Sequence, residues 1–185
     1  MRALRGSLQF ASFVTLCLLI ACTAPTTKFS NIWKDETYQL HPEKILVISA
    51  FVDPGQRRLF EEEFVMALKS RGIDGIMSYT VMPEMPTTFL EDKDAIVLKA
   101  KEVGADTVII SRPLERERTD WHGAGSIEIY RTYIGSLTEV YDTRSNRMIM
   151  NLTAETRVHE DKPRYGQAQA YVKDIVNMMS QHKLF

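Results

Sequence analysis

Between Lys44 and Ser111 three short apolar runs alternate with two amphipathic stretches, and nothing else in the chain narrows the fold as far. Lys44-Ile45-Leu46-Val47-Ile48-Ser49-Ala50-Phe51 lies between Pro42 and Asp53-Pro54-Gly55. A β-branched apolar run between turn residues reads as a buried strand. From Gln56 to Arg71, Phe60, Phe64, Ala67, Leu68 and Arg71 share one helical face, with Gly72 placed to cap the end. Ile76 to Val81 predicts a second strand, stopped by Met82-Pro83-Glu84-Met85-Pro86. Thr88-Phe89-Leu90-Glu91 has capping-box spacing, so a second helix is expected from there to Val103, ending at Gly104. Thr107 to Ser111 is the third strand, ended by Pro113. The order predicts a β-α-β-α-β unit of parallel strands with right-handed crossovers.

After Ser111 the character changes. Glu115 to Asp120 is densely charged and Trp121-His122-Gly123-Ala124-Gly125 is glycine-rich. Two long strands are then expected, Ser126 to Tyr141 and Arg147 to Val158, joined by Asp142-Thr143-Arg144-Ser145-Asn146 as a hairpin turn. In the second, Met148, Met150, Leu152, Ala154, Thr156 and Val158 alternate with polar residues, and Ile149 is the one break. That alternation predicts one packed and one wet face. A final helix is expected from Gln167 to His182, with Ala168, Tyr171, Val172, Ile175, Val176 and Met179 as its apolar stripe. The expected fold is a single α/β domain over 44–185: the β-α-β-α-β unit, then a long β-hairpin and a C-terminal helix, in a mixed sheet with helices packed against it.

The first 21 residues read as a secretory signal. Arg2 and Arg5 precede an apolar run ending at Ala21, with small and polar residues following. The run is shorter than the roughly 20 apolar residues that span a bilayer comfortably. Leu19-Ile20-Ala21-Cys22 resembles the lipobox of bacterial lipoproteins. The resemblance implies cleavage after Ala21, diacylglyceryl attachment to the Cys22 sulfur and acylation (palmitate) of the freed amine. It also implies sorting, because Thr23 stands where inner-membrane lipoproteins commonly carry aspartate. The expected location is therefore the periplasmic face of the outer membrane, with the membrane as one partner. Residues 22–43 read as a tether. Trp33 and Tyr38 within it either sit at the membrane surface or fold back on the domain, and the second is preferred because two large aromatics would otherwise stay exposed.

Charge and cysteine count remove several functions. The chain has 23 basic and 24 acidic residues, and the leader holds only Arg2 and Arg5, so the mature chain carries 21 against 24, near −3. A nucleic-acid binder would show a basic excess, and no polybasic block is present to hold an anionic bilayer by charge. Cys17 lies in the leader and Cys22 is committed to lipid, so residues 23–185 contain no thiol for a disulfide, a metal or a nucleophile.

Two stretches could carry function. Asp53, Gly55, Arg57 and Arg58 lie where a strand feeds a helix, the place at which open α/β sheets bind ligands, and a helix start can receive an anion. The loop lacks the glycines of a dinucleotide fingerprint and the lysine of a phosphate loop. It equally reads as a tight turn with Arg57 and Arg58 on a solvated face, followed by a solvated acidic turn, Glu61, Glu62 and Glu63. Trp121 and His122, with Tyr130 on the hairpin, form the candidate partner-binding surface, since aromatics recur in binding hot spots. The competing reading is a loop whose tryptophan plugs the core edge. His41, His122, His159 and His182 are too scattered for a metal site, no Gly-x-Ser-x-Gly elbow occurs, and no cofactor is implied.

The strand Lys44–Ala50, the helix around Phe60–Leu68, and Gly104-Ala105-Asp106 leading into Thr107–Ser111 resemble small bacterial lipoproteins of unknown function. In element order they are also similar to the α/β domains of the curli-secretion lipoprotein and the amino-terminal domain of the Tol–Pal translocation protein. The resemblance implies envelope assembly, through a protein partner or self-association, rather than catalysis or nucleic-acid binding. The alternative expectation is a small hydrolase or ligand-binding protein using the Asp53–Arg58 loop.

Overall fold

The computed structural model describes residues 27–39, 41–120, 129–158 and 164–185. Six strands form one mixed sheet in the order β1-β6-β5-β4-β2-β3: β1 Thr27–Lys34, β2 Lys44–Ser49, β3 Asp74–Met77, β4 Thr107–Asp120, β5 Ile129–Asp142 and β6 Arg147–Arg157. β2 pairs in parallel with β3 and β4, while β4, β5, β6 and β1 are antiparallel neighbours. The helices are α1 Pro54–Lys69, a single turn α2 Ser78–Val81, α3 Lys93–Glu102 and α4 Arg164–Gln181, with a 3-10 turn at Thr87–Glu91. This is the expected α/β architecture of crossover unit, hairpin and C-terminal helix.

The two faces of the sheet are packed unequally. Ile45, Val47, Ile109, Val140 and Leu152 point toward α1 and α4, which supply Phe60, Phe64, Leu68, Tyr171, Ile175 and Met179. All six expected stripe residues of α4 are buried. Leu46, Ile48, Val108 and Ile110 point the other way, onto Ile96 and Ala100 of α3. Two-sided burial explains why β2 is apolar at consecutive positions, and one-sided burial why β6 alternates. Ile149, the break in that alternation, is a bulge: Val140 pairs with Met150, but the next residue, Tyr141, pairs with Met148. The extra residue turns inward and is buried.

Four expectations are corrected. The second strand ends at Met77, because Ser78 turns into a helical turn in which its hydroxyl joins a buried network; Ser78–Val81 is not strand. The helix expected from Thr88 starts instead at Lys93. Asp92 is its cap, accepting from the Ala95 N–H at 3.0 Å, and Thr87–Glu91 is a separate 3-10 turn. Pro113 does not end its strand, since β4 runs on to Asp120 against β5. The Ser111 carbonyl faces the β2 side, where it accepts from Ala50 N–H. Pro113, two residues on, faces the same side beyond the end of β2, so its missing N–H breaks no ladder bond. Finally, much of the stretch read as tether is β1.

β1 pairs with β6 from Thr27–Thr156 to Lys34–Met150. Asn31, at φ 50°, is an extra residue between the Ser30 and Trp33 rungs. It lets Phe29 and Ile32 both point into the core. The Thr27 hydroxyl donates to Asp174 of α4 at 2.6 Å. Tyr38 also packs on the core, and Trp33 lies on the opposite sheet face, 45% exposed.

Candidate functional site

The β2–α1 loop is built as a helix start. Asp53 Oδ1 accepts from the Gln56 N–H at 2.7 Å, and Pro54 occupies the first helical position, where a missing N–H costs nothing. A Cβ on Gly55 would meet Asp53 Oδ1 at 3.2 Å, so glycine leaves room for the cap. Arg57 is not on a solvated face with Arg58: it is 4% exposed. Its Nε donates to Glu61 Oε1 at 3.1 Å, and its terminal nitrogens donate to Ser78 Oγ, the Met82 carbonyl and the Pro83 carbonyl. The guanidinium also lies 5.7 Å from the Tyr79 ring centre. Glu61, fully buried, accepts at Oε1 from Ser49 N–H and Ser78 hydroxyl besides Arg57, and at Oε2 from Tyr79 N–H. Glu63 is buried too, so the three glutamates are not a solvated turn. Only Arg58 and Glu62 pair at the surface, at 2.7 Å. The Arg57–Glu61 pair thus ties α1, the end of β2 and the β3–α2 segment together.

Across the core beneath this loop, Ser49, Ser111 and Thr138 are lateral neighbours on β2, β4 and β5. All three are buried, and none of their hydroxyls has a hydrogen-bond partner among the described residues. Nearby, Tyr171 Oη donates to the Ala154 carbonyl at 2.9 Å and lies 2.7 Å from Ser136 Oγ. Burial pushes its phenol far above the ordinary tyrosine value.

The other face presents a different surface. Beyond α3 a cleft of about 240 Å³ lies between the 3-10 turn, Lys93, Ile96 and the strand residues Arg112, Glu139 and Tyr141. Arg112 donates to Glu139 at 2.6 Å and to the Leu90 carbonyl at 2.8 Å, and Tyr141 Oη donates to Glu139 at 3.2 Å. Burial, then the Glu139 charge, raises the Tyr141 phenol. The cleft is smaller than typical ligand sites of about 300–1,000 Å³. Past it, Asn151, Thr153, Glu155 and Arg157 of β6 and Ser30 and Trp33 of β1 point away from α4, and none is buried. This half of the sheet therefore shows one face without a packed layer among the described residues. Sequence reasoning read the β6 alternation as a wet face without seeing that β1 widens it and places Trp33 on it.

Trp121, His122 and Cys22 lie outside the described residues, and Tyr130 is placed only as a β5 residue paired with Thr119. Among the described residues no group of three or more His, Cys, Asp and Glu is arranged to hold a metal ion. No described helix is long and apolar enough to cross a membrane.

No family model matches the sequence, and no curated protein is similar to it. Solved structures do share the fold. PelC from Paraburkholderia phytofirmans, solved as a dodecamer, superposes with a TM-score of 0.52 at 14% identity, covering 81% of this chain and 94% of that one. Lipoprotein GNA1162 from Neisseria meningitidis gives 0.50 at 16% identity, over 76% and 99%. The chain has the fold of small bacterial lipoproteins. At these identities the likenesses show a shared fold alone, and they do not support the finer resemblance to the curli-secretion lipoprotein or the Tol–Pal translocation protein.

Proposed function

We propose that the chain is a lipid-anchored, non-catalytic module of the bacterial cell envelope, held at the periplasmic face of the outer membrane through Cys22, and that it works by assembly. Copies of itself are the first partner to consider, an envelope protein the second. The observation that carries this reading is the unlayered sheet face over β6 and β1, bordered by the exposed edge of β1 and by Trp33. A sheet face and edge of this kind offer both side-chain and backbone contacts. The dodecamer formed by PelC supports a closed ring of copies as the form to look for. The hydrolase alternative draws no support from the Asp53–Arg58 loop. There the Asp53 carboxylate caps a helix, and the Arg57 donors are committed to Glu61, Ser78 and two carbonyls.

The test is the mass of the detergent-solubilised lipoprotein by light scattering, with and without Trp33→Glu. The expected result is a multimer that Trp33→Glu shifts toward monomer. A monomer at every concentration, or a multimer indifferent to the substitution, overturns assembly through this face. Trp121→Ala is expected to weaken capture of a partner in a crosslinked pull-down without unfolding the domain, and unchanged capture removes that loop from the contact.

A further inference from the structure

Two features of the sheet face that carries α3 fit each other. One is Trp33, 45% exposed. The other is the cleft of about 240 Å³ at the foot of α3. A single row across four strands joins them: Ile110 pairs with Glu139, Glu139 with Asn151, and Asn151 with Trp33. Residues directly opposite one another in a sheet share a face. Ile110 and Glu139 line the cleft, and Trp33 lies two strands beyond Glu139, about 10 Å away. The half-buried Asn151 stands between them, so the cleft is not filled by the tryptophan of its own chain.

The cleft has the chemistry of an indole socket. It is too small for a typical metabolite but has room for one large side chain. Ile96, Val97 and Leu137 give it an apolar lining. Arg112 is held at its wall as a fixed planar cation by Glu139 and the Leu90 carbonyl. Among aromatic rings, indole is the best partner for such a cation. A buried indole N–H also needs an acceptor. Glu139 takes one bond at Oε2 from Arg112 and one at Oε1 from Tyr141 among the described residues, and a carboxylate oxygen can take two.

The shape lets two copies exchange tryptophans. A twofold axis parallel to the strands at β6 lays one sheet face on the other and brings Trp33 of each copy level with Glu139 of the other. α3 packs over β4 and β2 on one side of β6, whereas β1 alone lies on the other side. Each α3 therefore falls beyond the β1 edge of the neighbouring copy. A helix about 10 Å across matches the gap of about 10 Å between two packed sheets. Asn151 and Thr153 meet their own copies near the axis, and each side chain can both donate and accept. Farther along β6, Glu155 is paired with Lys28 and lies two residues before Arg157, so both signs of charge are present there.

We infer that the partner of this face is a second copy of the chain, held by reciprocal insertion of Trp33 into the α3 cleft. The inference deepens the assembly reading given above and rests on it. A self-complementary pair of this kind is the smallest closed form and can recur within a larger ring.

The experiment weighs the detergent-solubilised lipoprotein by light scattering as Trp33→Glu, as Leu137→Arg and as an equimolar mixture of the two. Leu137→Arg fills the cleft from a half-buried position and offers Glu139 a competing cation. Each variant alone is expected to self-associate on the order of tenfold or more weakly than the wild type. The mixture is expected to regain pairing, because the intact Trp33 of one variant meets the intact cleft of the other. Leu137→Met, the conservative control, should associate like the wild type. A mixture no more associated than its components, or Leu137→Arg associating like the wild type, overturns the insertion. A second measurement needs no cleft variant: with Trp121→Phe, Trp33 is the only tryptophan. Its emission should shift to the red and its quenching by acrylamide should rise severalfold on dilution from multimer to monomer, and equal quenching in both overturns the insertion. A multimer that Trp33→Glu disperses while the mixture stays apart leaves assembly through this face standing and removes only the socket. A wild-type chain that is monomeric at every concentration removes the assembly reading and the socket with it.

Discussion

Arg57 and Glu61 form an ion pair one helical turn apart, 3.1 Å between Nε and Oε1, with side chains 5% and 0% exposed. Such a pair is affordable only where both groups are fully hydrogen-bonded, and here Glu61 accepts four bonds. One residue along, Arg58 and Glu62 repeat the spacing in solvent. The two pairs are a built-in control. Removing one member of the buried pair, as in Glu61→Ala, is expected to cost about 3–5 kcal/mol by leaving an unpaired buried charge. Arg58→Ala should leave the urea midpoint nearly unchanged. Replacing both buried members, Arg57→Met with Glu61→Leu, removes the unpaired charge but leaves the Ser49 and Tyr79 N–H groups and the Met82 and Pro83 carbonyls without these partners, so it should recover only part of the loss. Equal effects of Glu61→Ala and Arg58→Ala in urea titrations would contradict a stapling role for the inner pair.

The file of Ser49, Ser111 and Thr138 makes the opposite prediction. The Thr138 hydroxyl is buried without a partner. A buried unpaired hydroxyl costs roughly 1–3 kcal/mol by mutational measure. Thr138→Val keeps the shape and removes the oxygen, so it should raise stability by about 1 kcal/mol. A lower melting temperature for this variant would mean that the hydroxyl is bonded after all.

The hairpin turn is expected to weaken in acid. Burial alone would raise the Asp142 carboxyl, but bonds from the Ser145 hydroxyl and N–H at 2.7 and 2.8 Å, and from Arg144, outweigh it and hold the group below its ordinary value. A depressed folded-state value means the stabilisation is complete above the unfolded-state value of about 3.9 and is lost as pH falls through the folded-state value. Asp35, bonded by the Thr37 hydroxyl and N–H and paired with Arg147, shifts in the same direction. Asp142→Asn should therefore lower stability at neutral pH and flatten the decline below about pH 4. A wild-type urea midpoint that does not fall in this range removes the argument.

How much of this was legible depends on whether the signal is local. The six-residue stripe of α4 repeats every three or four residues and needs no knowledge of its partners, so its burial followed directly from spacing. Ile149 was visible as a break, although only the pairing with β5 shows that the break is a bulge. The Arg57–Glu61 pair was misread because charges at this spacing usually face water. What buries them is Ser78, Tyr79 and the Met82 and Pro83 carbonyls, all some twenty residues later in the chain. Pro113 was misread because its tolerance depends on where a different strand ends. The candidate surface was hidden for the same reason, since β6 is wet on one side in sequence, but only β1 beside it makes a face.

β1 itself supplies the last prediction. Thr27-Lys28-Phe29-Ser30-Asn31-Ile32-Trp33-Lys34 has neither a period of two nor an apolar run, because Asn31 inserts one residue between the inward-pointing Phe29 and Ile32. A segment of that composition passes for linker. If it were linker, Phe29→Ala would be silent. As an edge strand whose phenylalanine packs on the core while partly exposed, it should lose about 1–3 kcal/mol, below the 3–5 of a fully buried phenylalanine. Thr27→Val should lose less, because Asp174 can turn to water when the hydroxyl at 2.6 Å is gone. Amide hydrogen exchange offers an independent check. β1 pairs with β6 from Thr27–Thr156 to Lys34–Met150, so protection should appear at the amides within Phe29–Lys34 that face β6 and be absent from a flexible tether. Rapid exchange throughout 27–34 together with a silent Phe29→Ala would return the segment to linker.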